Sequence, residues 1–326
     1  MRFAEQWSWC TVESIYDVTP HIRELRLRPD NGRLPPYPAG SHIGVNVLID
    51  GQPARRSYSL VENSDPNTYR IAVRLAPDSR GGSRGMWKLQ PGARIEICSP
   101  ASLLEIDWSR RSYCLIAGGI GITPITGIAA ALRRRNIDAP LHYAVKSRRD
   151  AAFLDELSAL LGDRLIVHAS EEGARIDLAA TFCALPNDAI AVICGPMRML
   201  EAARRAWNDA GRAPADLRYE TFGSSGLMPT AEFRVRLKDT DTELVVPQNS
   251  SMLDALNGAG FEVMSDCQRG ECGVCAVDVV AFEGEIDHRD VFFSDQQKQH
   301  NRKICPCVSR AIGVITIDTL YRPEAA

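Results

Sequence analysis

The chain has 326 residues, 45% of them hydrophobic and 24% charged, with a formal net charge of −3. A chain of this length and composition is expected to form two or three domains with apolar cores. The small net charge gives no reason to expect nucleic acid or an anionic membrane as a partner. The N-terminal residues lack the apolar segment of a secretion signal, and no apolar run is long enough to span a membrane. These features predict a soluble, cytoplasmic protein.

The first segment, to about residue 108, consists of short alternating apolar runs separated by turn residues. Short strands with frequent turns predict an antiparallel barrel or sandwich. Strands are expected at residues 9–15, 22–27, 42–48, 56–60, 70–75 and 94–98, and a helix is expected to begin at Met86.

Two motifs in this segment are candidates for binding a phosphate-bearing cofactor. The first, Arg56-Ser57-Tyr58-Ser59, lies in a predicted strand, and the second is the Arg-Gly-Gly-Ser-Arg-Gly loop at residues 80–85. Adjacent glycines, a hydroxyl and a cation before a helix can form a phosphate cradle. Taken singly, each motif is more often an ordinary strand or turn.

In the second segment, about residues 109–226, strands alternate with helices, which predicts a parallel α/β sheet. Strands are expected at residues 112–117, 141–145, 165–170 and 189–194, with helices at 124–135, at 151–161 and through Trp207. Glycine turns follow two of these strands, at residues 118–121 and 195–196, where ligands of such sheets bind. The first turn lacks the G-x-G-x-x-G pattern, so a plain connection remains open on composition alone.

The third segment, about residues 227–326, contains the spacing C-x4-C-x2-C at Cys267, Cys272 and Cys275. This spacing is typical of plant-type [2Fe–2S] clusters, and thiolates are the soft ligands that such clusters use. A zinc site or cysteines that only pack are the alternatives, although zinc ribbons usually show two short Cys pairs. A hairpin at residues 233–246, a helix at 251–259 and strands at 276–280 and 314–318 give the layout of a β-grasp ferredoxin.

Together these motifs resemble the phthalate dioxygenase reductase and vanillate demethylase reductase family. That family belongs to the ferredoxin–NADP reductase superfamily and carries a C-terminal plant-type ferredoxin domain. The resemblance implies a flavin barrel at residues 1–108, an NAD(P)-binding α/β domain at 109–226 and a [2Fe–2S] ferredoxin domain at 227–326. The glycine loop resembles the FMN-using branch, and we find no candidate for the adenine loop of FAD-using relatives.

The resemblance also implies roles for individual residues. Arg56 would bind the flavin phosphate, Tyr58 would lie against the ring, and Ser59 would lie near the reactive N5. Thr123 would lie close to the flavin and Cys194 beside the nicotinamide, so Ser59, Thr123 and Cys194 are the expected catalytic residues. The other expected cofactor-binding residues are Ser57, Ala72, Val73, Arg74, Gly81, Gly82, Ser83, Arg84, Gly119, Gly121, Pro124, Gly195, Pro196, Met197 and Phe222.

The fourth cluster ligand has two candidates, Cys305 and Cys307. Relatives place this ligand directly before Val-Ser-Arg, which selects Cys307. Counting from Cys275 favours Cys305, because comparison with the family indicates two extra residues around positions 279–282 of this sequence. A short insertion is easily absorbed in a hairpin, so we assign Cys307.

The choice of nucleotide is also open. The resemblance implies NADH, while Lys146, Arg148 and Arg149 follow the second strand of the α/β domain, where a 2′-phosphate would be read. No acidic residue obviously excludes NADPH from this position.

The implied function is that of the reductase component of a multicomponent Rieske-type oxygenase, working as a monomer. A stand-alone NAD(P)H-dependent reductase of a small acceptor, or an electron relay with a vestigial nucleotide site, are the alternatives. We expect Gln268, Arg269 and Glu271 of the cluster loop at the surface, near the face that docks the oxygenase.

Overall fold

The structure is a computed structural model that describes residues 6–32, 34–49, 52–62, 65–76, 81–102, 104, 106–222, 228, 230–238, 240–248 and 250–319. Its contacts divide the chain into two compact units, Met1–Glu220 and Thr221–Ala326. The first unit contains two sheets and the second unit contains one. No helix in the described ranges is long and apolar enough to cross a membrane.

The first sheet is a six-stranded antiparallel barrel, as the alternating runs predict. Its elements are β1 (Trp7–Thr19), β2 (Ile22–Pro29), β3 (His42–Ile49), β4 (Gln52–Ser59), β5 (Tyr69–Arg74), α1 (Gly82–Trp87) and β6 (Arg94–Cys98). The strand order is β4-β3-β6-β1-β2-β5, and an antiparallel bridge between Leu60 and Ile71 joins the two ends. This bridge lies directly after residues 56–59, so it holds the end of the strand that carries them.

Helix α1 begins at Gly82, four residues before the predicted start at Met86. Gly81 has a φ of +88°, in the left-handed region that glycine enters at no steric cost. This conformation turns the chain directly into the helix, so the glycine loop forms the first turn of α1.

The second sheet is parallel and has five strands. Its elements are β7 (Tyr113–Gly118), α2 (Ile122–Arg134), β8 (Leu141–Val145), α3 (Leu154–Leu161), β9 (Leu165–Ala169), α4 (Leu178–Cys183), β10 (Ile190–Cys194), α5 (Met197–Asp209) and β11 (Leu217–Glu220). The order is β11-β10-β7-β8-β9, so the strand order reverses between β7 and β10. Ligands of doubly wound sheets bind at such a switch point. The sequence did not predict α4 or β11, which have only six and four residues.

The third sheet belongs to the second unit and is mixed. Its elements are β12 (Phe233–Leu237), β13 (Glu243–Val246), α6 (Met252–Gly258), β14 (Val277–Asp287), α7 (Asp295–His300), β15 (Lys303–Ile304) and β16 (Arg310–Asp318). The order is β13-β12-β16-β14-β15, with β12 parallel to β16. Side chains of α6 pack into the core of this sheet, which is the β-grasp layout. Strand β14 runs seven residues beyond its predicted end, with a register shift between Val279 and Ala281.

A buried arginine joins the barrel to the α/β part of the first unit. Arg70 on β5 is 6% exposed and pairs with Glu24 of β2 at 2.8 Å and with Glu156 of α3 at 2.5 Å. Its guanidinium also lies 4.8 Å from the centroid of the Phe153 ring. A buried charge is tolerated only when partners compensate for its lost hydration. Here one partner comes from the barrel and the other from a helix of the α/β part.

We expect Arg70→Met to lower the free energy of unfolding of the first unit by about 3 kcal/mol, because Glu24 would stay buried without this partner. Denaturant unfolding followed by tryptophan fluorescence measures this change. Arg94→Met is the matched control, since Arg94 pairs with Asp30 but is largely exposed. Equal effects of the two substitutions would contradict the role given to Arg70.

Candidate functional site

Ser59 ends strand β4, where its main chain pairs with His42 of β3. The residue is 4% exposed, and its Oγ has no hydrogen-bond partner among the described residues. A buried hydroxyl without a partner is costly, so such groups usually serve a ligand or a bound water. The position therefore fits a residue that bonds a flavin, as the sequence predicts.

Arg56 lies three residues earlier and contacts the first turn of α1. A Cβ on Gly82 would lie 2.7 Å from Arg56 Nε, so a larger residue there would displace the arginine side chain from this turn. The first turn of α1 carries no acidic side chain, and Ser83 and Arg84 follow Gly82 directly. A cation beside the first turn of a helix suits a phosphate monoester, which is the terminal group of FMN.

The remaining predicted flavin residues surround these two motifs. Tyr58 is half-buried against the barrel core, and burial raises the pKa of its phenol, which keeps it neutral. Ala72 and Val73 are buried on β5, and the carbonyl of Val73 accepts from Trp87 Nε1 of α1 at 2.9 Å. Ser57 is half-buried and Arg74 is exposed. Strand β4, strand β5 and helix α1 thus meet at one end of the barrel.

The two glycine turns of the parallel sheet touch each other at the switch point. A Cβ on Gly121 would lie 2.2 Å from the carbonyl oxygen of Cys194, and one on Gly118 would lie 2.7 Å from Pro196 Cδ. Gly119 has a φ of +53° and open space where a Cβ would point. Glycine is therefore required for main-chain packing between the turns, while Gly119 leaves one side of the first turn accessible.

The other predicted nucleotide residues lie on the same turns. Cys194 is fully buried at the end of β10, and Thr123 is 2% exposed in the first turn of α2, where its Oγ1 donates to the Ile120 carbonyl at 3.0 Å. Pro196 is exposed and caps α5, whose first residue Met197 is buried. The structure therefore brings together the predicted nucleotide-binding residues of the two turns, at positions 119–124 and 194–197.

Phe222 is half-buried and belongs to the second unit, so its predicted place beside the flavin stays a prediction.

The cations that follow β8 are already neutralised in part. Lys146 pairs with Glu171 at 3.3 Å and Arg148 pairs with Glu172 at 2.9 Å, both acids lying directly after β9. The sequence analysis did not single out Glu171 and Glu172, because neighbouring strand ends bring together residues that are distant in sequence. The acids would repel a 2′-phosphate and occupy the cations that could bind it.

The thiol-bearing loop of the second unit curls around Cys267. Its Sγ accepts from the backbone N–H groups of Arg269, Glu271 and Cys272, each at 3.4 Å. Gln268, Gly270 and Gly273 have positive φ values, which turn these N–H groups inward. Converging N–H groups stabilise an anionic sulfur, as a cluster thiolate requires.

The thiols occur in neighbouring pairs. Cys267 and Cys272 share the loop, and Cys275 Sγ lies 3.3 Å from Cys307 Sγ. Hydrogen bonds from the Cys305 and Cys307 thiols lower the pKa of Cys275. In the part of the chain that the structure describes, no three His, Cys, Asp or Glu side chains surround a single ion. Paired thiols fit a two-iron cluster better than one mononuclear metal.

Both candidates for the fourth ligand lie beside Cys275. Cys305 is fully buried and Cys307 is 4% exposed, and both pack with Leu253 and Phe293. The choice of Cys307 therefore stays a prediction.

A segment outside the predicted ligand set, at residues 290–292, supports the cluster loop. A Cβ on Gly270 would lie 2.9 Å from Asp290 Cα, and one on Gly273 would lie 2.3 Å from the Phe292 ring. The N–H of Val291 donates to the Gly270 carbonyl at 2.9 Å. The positive-φ glycines of the loop were the available signal, because close approach by another segment is one reason for a glycine.

The loop is less exposed than predicted. Arg269 is 6% exposed and pairs with Glu271 at 3.1 Å, while Glu271 also accepts from the N–H of Thr221 at 2.8 Å. Burial raises the pKa of Glu271. The prediction that these two side chains lie at the surface was therefore wrong, because they pair with each other and are largely buried. Gln268 is exposed as expected, and the exposed apolar side chains nearby are Met264, Val274 and Phe292.

Comparison with known proteins places these features in one family. The model of the "2Fe-2S iron-sulfur cluster binding domain" matches residues 235–311, which include the five cysteines from Cys267 to Cys307. The heme-dependent oxidative N-demethylase beta subunit of Ectopseudomonas mendocina (strain ymp) is 35% identical over 304 residues, covering 93% of this chain and 95% of that protein. The vanillate O-demethylase oxidoreductase of Acinetobacter baylyi is 32% identical over 312 residues, covering 94% and 96%.

A solved structure of phthalate dioxygenase reductase, described as a modular structure for electron transfer from pyridine nucleotides to [2Fe-2S], superposes with a TM-score of 0.78 at 29% identity. The match covers 96% of this chain and 98% of that one. The full-length matches, the three sheets and the paired thiols lead to one conclusion: the chain belongs to the phthalate dioxygenase reductase and vanillate demethylase reductase family of oxidoreductases.

Proposed function

We propose that this protein is the reductase component of a multicomponent oxygenase, passing electrons from NADH through FMN and a [2Fe–2S] cluster to the oxygenase. The observation that carries the proposal is the pairing of thiols around the loop of residues 267–275, downstream of a barrel that holds an unpartnered Ser59. The proposed division is a flavin domain at residues 1–108, a nucleotide domain at 109–226 and a ferredoxin domain at 227–326.

The flavin site fits FMN. We assign the phosphate to Arg56, Gly81, Gly82, Ser83 and Arg84. Tyr58 would pack on the ring, and the free Ser59 Oγ would bond its N5 edge. The other ring contacts would come from Ser57, Ala72, Val73, Arg74 and Phe222. When bound, FMN accepts a hydride from NADH and gives up electrons one at a time, which links the two-electron donor to the one-electron cluster.

The nucleotide site is assigned to the two touching glycine turns. Gly119, Gly121, Thr123 and Pro124 would receive the pyrophosphate at the start of α2, with Gly195, Pro196 and Met197 on the opposite turn. Cys194 would lie beside the nicotinamide. Each group here binds and orients, and the assignment requires no general acid or base from the protein.

The cluster ligands are assigned to Cys267, Cys272, Cys275 and Cys307. The three N–H groups that point at Cys267 Sγ would stabilise negative charge on that ligand and so raise the reduction potential of the cluster.

The proposed electron acceptor is a Rieske-type terminal oxygenase. Plant-type clusters have lower reduction potentials than Rieske centres, so transfer in this direction is downhill. One relative is named for a heme-dependent demethylase, so a heme acceptor is the competing partner class. We further propose a monomer in the cytoplasm, where the ten free thiols would stay reduced.

The function is tested by NADH consumption with the purified protein, candidate oxygenases and their substrates. We expect bound FMN, two irons per chain, and NADH oxidation that depends on a Rieske oxygenase and its substrate. The matched control is Cys272→Ser, which should keep NADH-to-dye turnover but lose transfer to the oxygenase.

Three results would contradict the proposal. Acid-released FAD would overturn the FMN assignment, and efficient coupling to a heme oxygenase alone would overturn the Rieske partner. High kcat/KM for a small acceptor, with no oxygenase accepting electrons, would replace the oxygenase function with a stand-alone reductase.

We expect Cys307→Ser to abolish or strongly disturb the cluster, because relatives in this family place the fourth ligand directly before Val-Ser-Arg, which is the position of Cys307. Cys305→Ser, two residues away, should leave the visible and electron paramagnetic resonance spectra near those of the wild type. The opposite pattern in the two variants would assign the fourth ligand to Cys305.

We expect NADH to be preferred over NADPH by kcat/KM, because Glu171 and Glu172 neutralise the nearby cations. Replacing both acids with glutamine should raise kcat/KM for NADPH by about tenfold, since each surface charge contributes up to about 1 kcal/mol. Glu201→Gln combined with Asp209→Asn, both on α5, changes the net charge by the same two units and is the control. A wild-type preference for NADPH would show that Arg148 and Arg149 bind its 2′-phosphate.

A further inference from the structure

One hydroxyl group, on Thr126 of helix α2, binds the chain segment that follows strand β4. Thr126 lies on α2, one turn after Thr123, and is 5% exposed. Its Oγ1 accepts from the N–H of Glu62 at 2.9 Å and donates to the carbonyl of Thr123 at 2.8 Å. The hydroxyl therefore bridges the main chains of the barrel and the α/β part.

Each of the two bridged residues is, or lies close in sequence to, a residue that we assign to a cofactor. Glu62 is three residues after Ser59, and the bridge ends on Thr123 itself. Ser59 is the proposed flavin N5 partner, and Thr123 is the proposed residue at the nucleotide side. The path from one to the other runs through a short stretch of chain and two hydrogen bonds, so it leaves little freedom in their separation.

Further contacts fix Glu62 from other directions. Its carbonyl accepts from Arg70 Nη1 at 2.9 Å, and its carboxylate pairs with Arg134 at the end of α2 at 2.5 Å. Gly127, which follows Thr126 on α2, approaches the barrel as well, since a Cβ there would lie 3.6 Å from the N atom of Gly40. The N–H, the carbonyl and the carboxylate of Glu62 each have a partner, so this residue is held in one position.

Hydride transfer depends steeply on the separation and alignment of donor and acceptor, and a displacement of about 1 Å can cost about a hundredfold in rate. We propose that Thr126 is a positioning residue for this reaction, whose hydroxyl sets the distance between the flavin side at Ser59 and the nucleotide side at Thr123. The inference rests on the proposed function. It assigns Thr126 no contact with either cofactor.

The test compares Thr126→Val, which keeps the shape but removes the hydroxyl, with Thr126→Ser, which keeps the hydroxyl. Hydrogen exchange of the Glu62 amide is measured on the full chain without FMN. Flavin reduction by NADH is then measured in single turnovers without oxygen, together with the FMN dissociation constant and reduction by dithionite. If the valine variant does not retain FMN, the same measurements are made on Thr126→Ala, which also removes the hydroxyl.

We expect the valine variant to exchange the Glu62 amide faster and to reduce its flavin about tenfold more slowly at saturating NADH. KM for NADH, FMN affinity and reduction by dithionite should stay unchanged, and Thr126→Ser should match the wild type in every measurement. A purely structural role would instead lower FMN affinity and leave the single-turnover rate of the loaded protein intact.

Wild-type rates of flavin reduction by NADH in the valine variant would overturn the inference while leaving the proposed function in place. Unchanged exchange of the Glu62 amide would also overturn it, because the bridge would then not protect that group. If NADH does not reduce the wild-type flavin at all, the proposed function fails and the inference fails with it.

Discussion

At each candidate site, a glycine lets another group approach more closely than any Cβ would allow. Gly82 admits the Arg56 guanidinium, Gly121 admits the Cys194 carbonyl, and Gly273 admits the Phe292 ring, with Cβ clashes of 2.7, 2.2 and 2.3 Å respectively. Main-chain N–H groups are thereby brought to the surface of a turn, where they can meet phosphate or sulfur. The three sites depend on this constraint, because larger residues would push the paired segments apart.

The protein's contribution to electron transfer is one of placement, since the chemistry belongs to the cofactors. The barrel and the α/β sheet are joined by buried polar contacts through Arg70, Glu62 and Thr126. The cluster loop is held by Gly270 against Asp290, whose carboxylate accepts from Ser309 Oγ at 3.0 Å. Buried, satisfied polar groups of this kind specify one arrangement more strictly than apolar packing does.

The sequence was sufficient where a local pattern decides the structure. Strands β6 and β8 begin and end where predicted, and the hairpin of β12 and β13 spans its predicted residues, because alternation and flanking turns mark them. The C-x4-C-x2-C spacing led to the iron–sulfur domain for the same reason, since its ligands lie close together in the chain. Short elements without a strong pattern, such as α4, β11 and α7, were missed.

Sequence could not show which polar side chains find partners from distant segments. Arg269 and Glu271 were expected at the surface from their charge, yet they pair with each other and are buried. The acids Glu171 and Glu172 reach the cations after β8 only because β8 and β9 are neighbours in the sheet. The bridge made by Thr126 likewise depends on tertiary packing that no local motif encodes.

The central claim is that NADH delivers two electrons to a flavin and that the cluster takes them singly within the same chain. An anaerobic titration with NADH tests this most directly, with flavin absorbance and the electron paramagnetic resonance signal of the cluster followed together. The account predicts a titration end point at about one and a half equivalents of NADH per chain, with the flavin and the cluster both reduced. An end point at about one equivalent, with the flavin reduced and the cluster still oxidised after long incubation, would contradict it.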